Sequence, residues 1–122
     1  MSTRTEQVGG LIAQKISDIL QRDISDPRLS GLVTITGAKV SADLRNAVIY
    51  WSVLGNEEVW KEVDTAFFHA AGYIQRLLGQ RVSLKITPIL SFAPDHTMEQ
   101  AQKIEILIDQ QKPISEQTSD EK

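Results

Sequence analysis

Apolar residues recur at Val8, Ile12, Ile16, Ile19 and Leu20, with Lys15, Asp18 and Arg22 between them, which is the period of an amphipathic helix. Thr3 and Glu6 stand at capping-box spacing ahead of this run, and Asp26-Pro27 follows it, where the residue before proline is biased out of the helical region. A helix is therefore expected near residues 5–23, with Gly9 and Gly10 weakening its first turns. The pattern then changes. Residues 32–40 and 46–54 are rich in β-branched side chains, and Ala47, Ile49, Trp51 and Val53 fall on one face of the second run. Two strands are expected, joined as an antiparallel hairpin by Ser41-Ala42-Asp43-Leu44-Arg45.

Helical spacing returns at Val59, Val63, Phe67, Ala70, Ile74 and Leu78, giving a helix near 57–78 with acidic residues at its start and Arg76 and Arg81 at its end. Gly72 lies inside it and costs about 1 kcal/mol relative to alanine, so a break is expected there. Val82, Leu84, Ile86, Pro88, Leu90 and Phe92 alternate with their neighbours and predict a strand over 82–92, at a sheet edge or interrupted at Pro88, which has no N–H to donate. A last amphipathic stripe, Met98, Ala101, Ile104, Leu107 and Ile108, predicts a helix near 97–110. The expected core includes Ile12, Ile16, Ile35, Ile49, Val63, Phe67, Leu84 and Ile86.

Composition narrows the class. A chain of 122 residues that is 41% apolar suits one α+β domain over residues 1–111, followed by a disordered acidic tail over 112–122 with little to bury. The absence of cysteine excludes disulfides, thiolate nucleophiles and cysteine-based zinc sites, and suits a reducing, cytoplasmic setting. The apolar runs are far shorter than the ~20 residues of a membrane helix, and no basic-then-apolar leader opens the chain, so neither a membrane span nor an export signal is expected.

The net charge of −3 hides an uneven distribution: residues 1–96 carry 10 basic and 10 acidic side chains, and residues 97–122 carry 3 and 6. Arg76, Arg81 and Lys85 lie in a stretch without carboxylates between Asp64 and Asp95, and Arg28, Lys39 and Arg45 lie in other acid-poor stretches. All six are candidate phosphate contacts, and Ala70-Ala71-Gly72 is small enough for another backbone to approach. Tyr50, Trp51 and Tyr73 can stack bases or fill the core. His69 and His96 belong to no metal-ligand pattern, so no metal is expected. Asp95-His96-Thr97 reads as a turn and helix cap rather than a catalytic set, and there is no nucleophile elbow, Walker loop or dinucleotide fingerprint. No enzyme activity and no cofactor are expected.

The order helix, strand, strand, kinked helix, strand is that of a type II KH-like RNA-binding domain, here with an additional C-terminal helix. Asp26-Pro27-Arg28-Leu29, Val33-Thr34-Ile35-Thr36, Val40-Ser41-Ala42-Asp43-Leu44, Ala70-Ala71-Gly72, Pro88-Ile89-Leu90-Ser91-Phe92 and Asp95, in that order, resemble the bacterial ribosome-binding factor A family over about residues 4–108. The resemblance implies that the Ala-x-Gly kink replaces the GxxG loop of ordinary KH domains. It also implies a factor that binds the free or immature 30S subunit and its 16S rRNA and assists rRNA processing and late maturation, notably in the cold. Gln7 and Gln75 stand where that family often carries basic residues. The protein is expected to be a monomer when free. The rival reading is a protein–protein adaptor using its exposed sheet face, with Tyr50 and Trp51 as anchors.

Overall fold

A computed structural model describes residues 3–31 and 33–97. Its elements run in the order α1 (Thr3–Arg22), α2 (Pro27–Ser30), β1 (Val33–Val40), β2 (Asn46–Val53), α3 (Glu57–Arg81) and β3 (Ile89–Pro94). The mixed α+β class read from the sequence is the one observed, and the expected helix over 97–110 lies almost wholly outside the described residues. The three-stranded sheet has the order β1-β2-β3, with β2 antiparallel to β1 and parallel to β3. Strands β2 and β3 therefore begin at the same end of the sheet, beside the β1–β2 hairpin.

The alternation in β2 sends Ala47, Ile49, Trp51 and Val53 into the core, against Ile12, Ile16 and Ile19 of α1 and Val63, Phe67 and Ile74 of α3. Trp51 lies 5.2 Å from the Trp60 ring and 5.4 Å from the Phe67 ring. It is wholly buried, so it cannot serve as the exposed anchor that the adaptor reading requires. Gly9, expected only to weaken α1, instead permits its docking. A Cβ there would sit 2.8 Å from the Ala38 carbonyl oxygen, so only glycine lets the helix backbone come this close to β1.

The hairpin closes through its polar residues. Ser41 and Asn46 are joined backbone to backbone at 2.8 Å, Asp43 accepts from the Ser41 hydroxyl at 2.6 Å, and Leu44 takes a left-handed φ of 63°. A bulge between Ile35 and Gly37 shifts the β1 register, and the intervening Thr36 hydroxyl reaches Asp95 at 2.7 Å.

Two expectations about regular structure need correction. Helix α3 is one continuous 25-residue helix, without the break expected at Gly72. Phe67, Ile74, Leu77 and Leu78 are buried on both sides of that glycine, and their packing outweighs its single propensity cost. Strand β3 begins at Ile89 rather than near residue 82. Pro88 cannot donate to a ladder, and the segment before it forms no strand, which leaves Ile86 47% exposed where burial was expected. Ile35 and Leu84 are half-buried at the core margin, whereas Ile12, Ile16, Ile49, Val63 and Phe67 are buried.

Candidate nucleic-acid interface

The parallel pairing of β2 with β3 gathers basic residues from distant parts of the chain. Lys39 is exposed near the hairpin end of β1, opposite Val48, and exposed Arg45 leads into β2. The Arg45 carbonyl accepts from Ile89 N–H at 2.8 Å, which ties the hairpin to the start of β3. From the other side, Gln75 of α3 donates to the Pro88 carbonyl and accepts from Leu90 N–H at 2.9 Å. These bonds place Arg76, beside Gln75, and Lys85, three residues before Pro88, around the end of the sheet that carries Lys39 and Arg45. Among the described residues none of these four cations forms an ion pair. Arg76 lies over the Tyr73 ring, 5.1 Å from its centroid, an arrangement that keeps the guanidinium extended on the surface. Asp43 is the carboxylate nearest in sequence, and the Ser41 hydroxyl and the Arg45 N–H hold its pKa below the ordinary value.

Gly72 stands one turn before Arg76, on the same face of α3. It is exposed, and a Cβ built on it meets nothing within 4 Å, so an incoming backbone has room beside it. Ala70 packs half-buried against the core, while half-buried Ala71 lines a groove between α3 and β3. The three small residues thus divide into one core contact, one groove wall and one open backbone position.

Arg28 and Arg81 differ from the other four cations. Arg28 holds Asp26 through two guanidinium nitrogens and donates its own N–H to the same carboxylate, which also caps α2. Arg81 grips Asp23, at the end of α1, with both terminal guanidinium nitrogens. The guanidinium bonds depress the pKa of Asp23 and of Asp26. The acid-free stretch around Arg81 in the sequence is therefore compensated in space by a residue 58 positions earlier.

The sequence reading missed the groove itself. Phe67, Phe68, Ala71, Leu90 and Phe92 line a hollow of about 390 Å³, in which the Phe67 and Phe92 rings stack at 4.6 Å. Phe68 is 81% exposed, and its departure from the apolar period of α3 is the one sequence signal that marks it.

The family model for ribosome-binding factor A matches residues 4–108. The chain belongs to the ribosome-binding factor A family. A ribosome-binding factor A from Acetivibrio thermocellus is 41% identical over 107 residues, covering 88% of this chain and 87% of the relative. The crystal structure of ribosome-binding factor A from Thermus thermophilus superposes with a TM-score of 0.64 at 23% identity, covering 74% of this chain and 94% of that one. A homology model of the Thermus thermophilus factor, fitted into a cryo-electron-microscopy map of its 30S complex, gives a TM-score of 0.61 at 21% identity over 75% of this chain and 96% of that one.

Proposed function

We propose that this protein is a non-enzymatic ribosome assembly factor that binds the immature 30S subunit through 16S rRNA and assists rRNA processing and late subunit maturation, including in the cold. The observation that carries the reading is the cluster of Lys39, Arg45, Arg76 and Lys85 at one end of the sheet, exposed and without carboxylate partners among the described residues, beside the open backbone at Gly72. Family membership and the 30S complex of the Thermus thermophilus factor support the same partner. Charges of this kind recognise phosphate spacing and helical shape rather than base identity, which suits docking on folded rRNA. Arg28 and Arg81, already engaged by carboxylates, are secondary contacts that exchange a partner when they bind, and Ala70 and Ala71 shape the surface beside Gly72. The protein works as a cytoplasmic monomer without metal or cofactor.

The test is sedimentation of cell lysate with detection of this chain across free, 30S and 70S fractions, during growth at ordinary and low temperature. The reading expects the chain in the 30S fraction, more of it in the cold, and release as salt rises. Recovery only at the top of the gradient at both temperatures contradicts it.

A further inference from the structure

Helix α3 and strand β3 run in opposite directions. Trp60 stacks on His96 at 4.0 Å, Phe67 on Phe92 at 4.6 Å, and Gln75 bonds to Leu90, so partners on β3 fall in number as those on α3 rise. The groove between them is continuous in its lining: Asp64 borders both the hollow at Phe68 and Ala71 and a second one, of about 450 Å³, at Trp60, Pro94 and His96. The chain leaves β3 at the Trp60 end, where Asp95 accepts from Thr97 N–H at 2.9 Å, the bond by which a side chain caps the start of a helix.

The sequence beyond that point fits the groove in length, polarity and charge. From Trp60 to Ala71 α3 advances about 16 Å, and a helix from Thr97 to Ile108 spans the same number of residues. Ala101, Ile104, Leu107 and Ile108 fall on one helical face and offer apolar cover for Phe68. Residues 109–122 then carry 4 acidic and 2 basic side chains, and they begin where the groove gives way to Gly72 and Arg76.

We propose that residues 98–108 fold back along the α3–β3 groove as an intramolecular cover and deliver the acidic residues 109–122 to the basic end of the sheet, where they compete with rRNA phosphates. The fold-back stands on the groove alone, and only the competition rests on the function proposed above. Opposite charge held at short tether length acts at high effective concentration, so a weak contact suffices to raise the threshold for RNA binding. Correct subunits, which offer many phosphates at once, displace it, whereas stray RNA with few contacts does not.

Because the chain has no cysteine, a pair introduced into the full-length protein reports proximity without background. Phe68→Cys with Leu107→Cys is compared with Leu11→Cys, on exposed α1 surface, with Leu107→Cys, in dilute protein under mild oxidant. The groove pair is expected to form an intramolecular disulfide at least about tenfold faster than the control pair. The oxidised protein is expected to bind purified 30S subunits at least about fivefold more weakly than the same protein reduced. Equal rates overturn the fold-back, and a disulfide between two chains overturns it in favour of a second copy in the groove. Equal 30S binding of oxidised and reduced protein overturns the competition. If the reduced protein shows no 30S binding, the rRNA reading and the competition fall together, while the disulfide rates still decide the fold-back.

Discussion

The Leu90 N–H donates to the Gln75 side-chain oxygen at 2.9 Å, while the nitrogen of the same carboxamide donates to Pro88 O. One side chain of α3 thus plays the part of a neighbouring strand at the edge of β3, satisfying the two backbone groups at the point where the strand begins. Gln75→Leu removes both partners from a part-buried site and should destabilise the fold by about 1–3 kcal/mol in urea unfolding. An unchanged midpoint would show that water serves these groups equally well.

Two glycines of the helices should respond in opposite directions. Gly9→Ala forces a Cβ to 2.8 Å from the Ala38 carbonyl oxygen and should cost about 1–3 kcal/mol as α1 is pushed off β1. Gly72→Ala meets nothing within 4 Å in a continuous helix and should stabilise by about 1 kcal/mol. Thermal melts of the two variants decide the matter, and a destabilised Gly72→Ala would restore the bend that the sequence suggested.

Stability should fall only in strong acid. Bonds from the Thr97 side chain and the Thr36 hydroxyl, followed by the Thr97 N–H, hold the Asp95 carboxyl below its ordinary value of 3.8. The Arg81 and Arg28 guanidinium groups do the same for Asp23 and Asp26, and Ser41 does so for Asp43. A carboxyl with a depressed folded pKa binds fewer protons folded than unfolded below its ordinary value. Its contribution is therefore complete above about pH 5 and is lost as pH falls below 3.8 toward the folded pKa. Melting temperature should be level from pH 7 to about pH 5 and then drop, and Asp95→Asn should make the drop shallower.

How far the sequence discloses this molecule depends on the range of the interaction concerned. Local periodicity locates α1, β1, β2 and α3 and assigns Ala47, Ile49, Trp51 and Val53 to the core, because helix and strand periods are properties of near neighbours. The start of β3 is hidden, since alternation from Val82 to Phe92 looks uniform until Pro88 and the Gln75 carboxamide act together. The role of Gly9 needs the carbonyl of Ala38, and the neutralisation of Arg81 needs Asp23; neither partner is a neighbour in the chain. The Ala70–Gly72 word marks a position of functional interest in the sequence, but the backbone around it is set by the buried residues on either side. The basic end of the sheet is legible as a set of acid-poor stretches, yet only the β2–β3 pairing selects Lys39, Arg45, Arg76 and Lys85 from the six candidates.

The most direct measurement is the salt dependence of 30S association for Arg45→Gln/Arg76→Gln/Lys85→Gln, with Arg81 left intact because its ion pair with Asp23 joins α3 to α1. The variant should melt like the parent, since none of the three side chains has an ion-pair partner among the described residues. If these cations face rRNA phosphates, the log–log slope of affinity against salt should flatten by roughly 0.7–0.9 for each phosphate no longer neutralised, or roughly 2–3 in all, with weaker binding at every salt concentration. A folded variant that keeps both the parent affinity and the parent slope would contradict the account.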